Sequence, residues 1–290
     1  MSLALIVNPG AGGGRAGRKL PGVEAALRER QLDYRVERTS SLDHARELAR
    51  VAAAAGDTAV AFGGDGLIGA VAGVLNDRDA VLGVLPGGRG NDFARTLGIP
   101  LEPRAACEVL AGGTVRALDL GEAGGRAFIG IASCGFDSDA NRIANEARLI
   151  RGNLVYAYGA LRALASWQPT TFSIRFDGGE SRRAVGYTVA AANSKAYGGG
   201  MWLAPAAALD DGLLDVVIVG HVPKLRFLRL LPTVFKGQHV LQPNVEVFRA
   251  KEIEISAERP FTLYADGDPI ASLPVKVRAL PGAVKVIVPR

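Results

Sequence analysis

The chain has 290 residues, 48% of them hydrophobic and 22% charged, enough to bury one large core or two of moderate size. No apolar run reaches the roughly 18 residues of a membrane-spanning helix, and the opening MSLALIVNPG lacks the charged start and apolar length of a secretion signal. The two cysteines, Cys107 and Cys134, have no metal-type spacing, and the histidines His44, His221 and His239 are scattered, which argues against a histidine metal site or hydrolase triad.

In chain order, LALIV reads as a short strand. GRKLPGVEAALRERQ then places Leu20, Val23, Ala26, Leu27 and, just beyond, Leu32 on one helical face. Strand-like DYRVERT follows, and SSLDHARELARVAAAAG opens on a serine cap and closes at Gly56. TAVAFGG and AVLGVLPGG are apolar runs that end in glycine. The alternation predicts an α/β N-terminal domain, residues 1–125, with a mainly parallel sheet whose ligands gather at the carboxyl ends of the strands.

Beyond residue 125 the pattern changes. RAFIGIASCGFD leads into a helical stretch, DANRIANEARLIRGNLVYAYGALRALASW. Then come TFSIRFDGGE, RRAVGYTVAAANS, LLDVVIVG, VEVFRAKEIEIS, FTLYADGDPI and PVKVRALPGAVKVIVP, interrupted only by a helix around PKLRFLRLLPTVFKGQ. Short strands joined by Gly, Asp and Pro turns predict a β-rich antiparallel sandwich over 126–290. Residues 1–125 carry 14 basic and 15 acidic side chains and residues 126–290 carry 20 and 14, so the surplus of +5 lies in the second half. That imbalance fits a solvated surface, phosphates or an anionic bilayer.

Glycine loops carry the chemistry. In GAGGGRAG, Gly12, Gly14 and Gly17 have dinucleotide-fingerprint spacing with Glu37 twenty residues on, but Asn8-Pro9 pushes the pattern too far past its strand. A phosphate-loop match fails as well, since Arg18 follows Gly17 and no hydroxyl residue follows Lys19. The loop can still cradle an anion through backbone N–H groups with Arg15, Arg18 and Lys19, or be a flexible basic loop. In GGDGLIGAV the glycines surround Asp65, where the reading is either an Asx-turn or cap, or close approach of a ligand to the backbone.

NPGAGGGRAG, GGDGLIGAV and PGGRGNDFARTLGIP fall at successive strand ends. Together they resemble the catalytic domain of diacylglycerol and sphingosine kinases and their bacterial lipid-kinase relatives. CGFDSDANRIAN, YGGGMWLAPAAALDDGLLDVVIV and DGD at Asp266 to Asp268 extend the resemblance to nearly the whole chain. It implies a two-domain kinase with ATP in the cleft between the domains and a lipid hydroxyl as acceptor, most simply diacylglycerol giving phosphatidic acid. Asn8, Pro9 and Gly12 would supply the first nucleotide motif, Thr39 a hydroxyl, and Gly63, Gly64, Asp65, Gly66 and Leu67 the nucleotide loop, with Arg89, Asn91 and Asp92 beside it. By the same resemblance Asp65, Asp92 and Asp119 would organise Mg2+ on the phosphates, and the Asp211 carboxylate with the carbonyls of Ala208 and Leu213 would form a structural Mg2+ site. Asp266 or Asp268 would be the base for the lipid hydroxyl, the competing local reading being a plain type I′ turn.

Leu67 and Ala70 stand where many relatives have Thr and Glu, Arg89 where they have Thr, and Asp268 where they have Glu. Leu67, Ala70 and Arg89 motivate a second reading, a degenerate nucleotide- or lipid-binding regulator. GGDG alone also allows a third, a soluble-substrate kinase such as an NAD kinase. The lipid reading carries an expected location in the cytoplasm at the inner membrane face. Candidate contacts are HVPKLRFLRLLPTVFKGQ, in which Pro232 breaks any continuous helix, and the stretch with Arg142, Arg148, Arg151 and Arg162. Trp167 and Trp202 fit core or interface. No nucleic-acid partner is expected, and the β-rich half could pair edge to edge as a homodimer.

Overall fold

A computed structural model describes residues 2–76, 78–146 and 154–290. Arg148 and Arg151 lie outside the described residues.

The first half alternates as the sequence predicts: β1 (Ser2–Val7), α1 (Ala11–Glu29), β2 (Asp33–Arg38), α2 (Leu42–Ala54), β3 (Thr58–Gly63), α3 (Asp65–Leu75), β4 (Val81–Pro86), α4 (Asp92–Thr96), α5 (Pro103–Gly112) and β5 (Thr114–Ala123). β2, β1, β3 and β4 lie side by side in that order, all parallel. With right-handed crossovers this order puts α1 on one face and α2 and α3 on the other, and α1 indeed packs with α5 while α2 packs with α3. α1 buries Leu20, Val23, Ala26 and Leu27, the predicted face. Ser41 caps α2 by accepting the His44 N–H at 3.1 Å.

The second half holds β6 (Arg126–Phe128), β7 (Ile131–Gly135), α6 (Phe136–Glu146), α7 (Leu154–Ser166), β8 (Thr170–Phe176), β9 (Ser181–Ala192), β10 (Leu214–Gly220) and α8 (Lys224–Leu230). Two 3-10 turns, Leu231–Lys236 and Gln238–Leu241, precede β11 (Val245–Ala250), β12 (Glu252–Ala257), β13 (Thr262–Ala265), β14 (Asp268–Ser272) and β15 (Val275–Val288). Pro232 ends α8 where the sequence analysis places the break. The strands from β7 to β14 pair antiparallel around an aromatic core in which Phe136, Trp167, Tyr187 and Phe227 touch ring to ring.

β15 ties the halves together. Its start pairs with β12, most of its length with β5, and its end runs parallel to β4. Val284, Val286 and Val288 therefore belong to the core of the first half, although they are at the end of the sequence. The pairing with β5 is interrupted between Leu280 and Val284, where Gly282 has φ +59°. Asp119 of β5, 2% exposed, fills this break. One oxygen accepts the Gly282 N–H and the other the Gly212 N–H, each at 2.7 Å.

Removing that carboxylate leaves two N–H groups without their acceptor. Asp119→Ala is expected to lower unfolding free energy by roughly 2–4 kcal/mol, read as a shifted urea midpoint at unchanged slope.

Candidate active site

The parallel strands deliver their following loops to one edge. Asn8 accepts the Gly10 N–H at 3.1 Å and turns β1 into α1. A side chain on Gly12, at φ +61°, would meet the Gly87 carbonyl at 2.6 Å, and one on Gly88 would meet the Gly64 Cα at 2.5 Å. These glycines let the loops after β1, β3 and β4 stack backbone on backbone. Pro9 accepts the Gly17 N–H at 3.3 Å, and Thr39 is buried with its hydroxyl donating to the Ser41 carbonyl at 2.5 Å. Arg89 is exposed at the rim. Leu67 packs on Gly63 and Ala70 is buried, so both departures are absorbed into the core.

Two acids come from this edge. Asp65 opens α3 and accepts the Phe93 N–H at 3.0 Å, which anchors the start of α4. Asn91, at φ +52°, is locked to Gly88 by bonds of 2.8 and 3.2 Å, and this fixes Asp92 beside it. Asp65 and Asp92 converge on Gly90, where a Cβ would lie 3.3 and 2.8 Å from their respective Oδ2 atoms. Burial pushes both carboxyls above their ordinary range, and the charge of Asp65 raises Asp92 further.

Two more acids come from the second half. Asp266 and Gly267, at φ +53° and +94°, form the two-residue turn between β13 and β14. This is the type I′ geometry, so the hairpin reading holds, and the turn also aims its acids at the first half. Asp266 accepts the N–H groups of Ile129 and Gly130, each at 2.9 Å. Burial, with smaller contributions from Asp65 and Asp268, pushes its carboxyl up to about 7. Asp268 is half-buried, its Oδ2 would lie 3.0 Å from a Cβ on Gly66, and no hydrogen bond reaches it among the described residues. Burial raises it too, while Arg126 and Arg46 pull it back.

The halves can approach this closely because α3 presents bare backbone. Gly66, Gly69 and Gly73 share a helical face that meets Asp268, Asp266 and Ala127 in turn.

Asp119 does not join Asp65 and Asp92, contrary to the expectation. Its carboxylate is spent on Gly212 and Gly282, and among the described residues no three His, Cys, Asp or Glu side chains converge as metal ligands. It sits instead against the 208–213 loop, where its N–H donates to the Leu209 carbonyl at 2.6 Å. In that loop Asp211 accepts the Leu213 N–H at 3.1 Å and pairs with Arg249 at 3.0 Å. Arg249 also faces the buried Asp215 at 3.6 Å. A guanidinium thus supplies positive charge beside Asp211, the carboxylate expected to hold a structural metal ion. The Asp65–Asp92 pair fits a metal ion, because Asp92 Oδ1 is buried without a partner beside a second carboxylate.

Sequence reasoning passed over Gly199, which donates its N–H to Asp92 Oδ2 at 2.7 Å. Gly198, Gly199 and Gly200 all have φ between +62° and +109°, closed at the base by a bridge between Tyr197 and Met201. The three-glycine run was the available signal.

Parallel strands carrying glycine loops, continued through one mixed sheet into an antiparallel β domain whose acids face them, make a fold of the NAD-kinase type. Residues 2–123 match the family "Diacylglycerol kinase catalytic domain", and residues 130–288 match "YegS C-terminal NAD kinase beta sandwich-like domain". The chain is 36% identical to a diacylglycerol kinase of Mycobacterium tuberculosis over 98% of this chain and 94% of that one. It is 34% identical to a protein of Chromohalobacter salexigens named "Probable lipid kinase YegS-like", over 83% and 79%. A crystal structure of a Bacillus anthracis diacylglycerol kinase shares the fold with TM-score 0.76 at 22% identity, over 99% and 96% of the two chains. An Archaeoglobus fulgidus NAD kinase follows at TM-score 0.53 and 14% identity, over 99% and 93%. The chain belongs to the diacylglycerol kinase and YegS-like lipid kinase family, and it is a phosphotransferase of that family. Among the described residues no helix is long and apolar enough to cross a membrane.

Two outcomes test the geometry. Gly69→Ala would set a methyl 2.9 Å from Asp266 Oδ2. It is expected to lower activity while helix propensity, about 1 kcal/mol in favour of Ala, offsets the strain in thermal stability. The carboxyl of Asp266 rises from 3.8 to about 7 on folding, so its contribution to stability is present below about pH 4 and lost as pH rises through 7. The melting temperature of Asp266→Asn is therefore expected to fall less steeply between pH 5 and 8 than that of the wild type.

Proposed function

We propose that the chain transfers the γ-phosphate of ATP, with Mg2+, to the free hydroxyl of diacylglycerol or a closely similar lipid alcohol, giving the phosphatidic acid type of product. The observation that carries the reading is Asp268. It is the one acid of the four that no N–H group occupies among the described residues, and it faces Gly66 of the nucleotide loop. A free carboxylate with a raised proton affinity is suited to orient an alcohol and take its proton as the new phosphoester bond forms. Asp266, with both oxygens bound to backbone N–H groups, is the positioning acid that holds the turn.

The phosphates would lie against Gly64, Asp65 and Gly66 at the N-terminus of α3, where the helix presents free N–H groups. Asp65 and Asp92 would hold Mg2+, which supplies charge neutralisation of the phosphates. Arg89 at the rim would pair with a phosphate through its planar fork. The names of the relatives support diacylglycerol as the acceptor.

The test is transfer from ATP to a panel of lipid alcohols in mixed micelles, with NAD as a soluble control. Asp268→Asn is expected to lose on the order of 100- to 10,000-fold in kcat with ATP binding retained. Asp65→Asn and Asp92→Asn are expected to weaken Mg2+-dependent nucleotide binding, and Arg89→Ala to raise the KM for ATP with little change in kcat. Transfer to NAD and to no lipid would overturn the reading.

A further inference from the structure

Residues 216–245 contain no acidic side chain, although 29 of the 290 residues in the chain are Asp or Glu. This segment holds α8 and both 3-10 turns, and it carries exposed apolar side chains. α8 buries Phe227 and turns Leu225 and Leu228 outward beside Arg229, as a rotation of about 100° per residue dictates. Leu225 is 73% exposed, Phe235 56% and Leu241 80%. Arg226, Arg229 and Lys236 are exposed among them and form no ion pair among the described residues, whereas many cations elsewhere are paired.

The segment is fastened to the active site. The Trp202 N–H donates to the Val234 carbonyl at 3.0 Å, and the buried His239 ring bonds the Leu203 carbonyl at 2.9 Å. Gly237 lies so close to Pro205 that a Cβ would meet its ring at 2.8 Å. Residues 202–205 continue directly from the glycine loop whose Gly199 holds Asp92. Trp202, 41% exposed, therefore lies three residues from a contact with a candidate metal-binding acid.

We propose that this face, built from α8, the two 3-10 turns and Trp202, docks on the surface of an anionic lipid bilayer. Apolar side chains that reach below the headgroups, set among cations without an ion pair among the described residues in a segment that carries no acid, match that surface in both polarity and charge. A second copy of the chain meeting it about a two-fold axis would oppose cations with cations. Through the 202–205 attachment, docking sets the orientation of the glycine loop and the cleft relative to the membrane. The purpose of the face rests on the lipid-kinase reading, but its test does not.

The full chain is sedimented with vesicles of phosphatidylcholine, alone or mixed with phosphatidylglycerol, and no turnover is needed. Wild type is expected to bind the mixed vesicles and to be released by salt. The pairs Leu225→Ser with Phe235→Ser and Arg226→Glu with Arg229→Glu are each expected to weaken binding about tenfold or more. Both pairs should melt as wild type does and phosphorylate a short-chain, monomerically dissolved diacylglycerol at the wild-type rate. Vesicle binding unchanged in both pairs overturns the proposal. So does loss of self-association with vesicle binding intact, which would make the face an interface between copies, or wild-type binding to an acidic polypeptide but not to vesicles. A wild type that docks through this face yet phosphorylates no lipid would sink the proposed function and leave the docking surface standing.

Discussion

Repulsion among buried carboxylates is the constraint around which the molecule is arranged. Asp65, Asp92, Asp266 and Asp268 are brought together from two halves of the chain, and all four are pushed toward the neutral form by burial. Three of them are held by backbone N–H groups, from Phe93, Gly199, Ile129 and Gly130. Such dipoles fix a carboxylate in position without cancelling its charge, so the site keeps its appetite for a cation. The glycines serve the same end. Gly12, Gly64 and Gly88 let three loops stack, and Gly66 and Gly69 let a helix approach two acids at distances no side chain would permit.

The same solution recurs away from the cleft with a different outcome. Asp119 is as deeply buried as any acid among the described residues, and its two N–H partners come from Gly212 and Gly282, far apart in sequence. There the carboxylate fastens a break in β15 to the 208–213 loop, and Arg249 balances the neighbouring Asp211 and Asp215. Asp119, with both oxygens occupied, is held as a structural group. Asp92 keeps one oxygen without a partner, and Asp268 has no N–H partner among the described residues, so both have acceptor capacity left at the cleft.

That distinction explains what was legible in the sequence. The parallel α/β half, the antiparallel half and the turn at Asp266-Gly267 follow from periodicity and turn residues, because local preference and tertiary structure agree there. The loops around Asp65 and Asp92 could be read because the glycines and the acid are neighbours in sequence. The partners of Asp119 are not legible in ALDLG, because they lie 93 and 163 residues away. The return of Val284, Val286 and Val288 to the first core is not legible either, since their alternation fits a strand of either half. Gly199 was visible as composition only. Three glycines in a row announce an unusual backbone path, but the acid it reaches lies 107 residues earlier.

The departures from the family pattern become intelligible in these terms. Leu67 and Ala70 are packed rather than exposed, so the loss of polar groups there leaves no orphaned partner among the described residues. Asp268 is a methylene shorter than the Glu usual in relatives, and it faces a glycine rather than a side chain. A short acid can serve where the opposing helix is bare, because the helix backbone itself comes to meet it. The reach lost by the side chain is supplied by the approach of α3, and that approach depends on Gly66 and Gly69. The carboxylate at 268, without an N–H partner among the described residues while the other three have one, is the residue on which the proposed distinction between a working kinase and a binding relic turns.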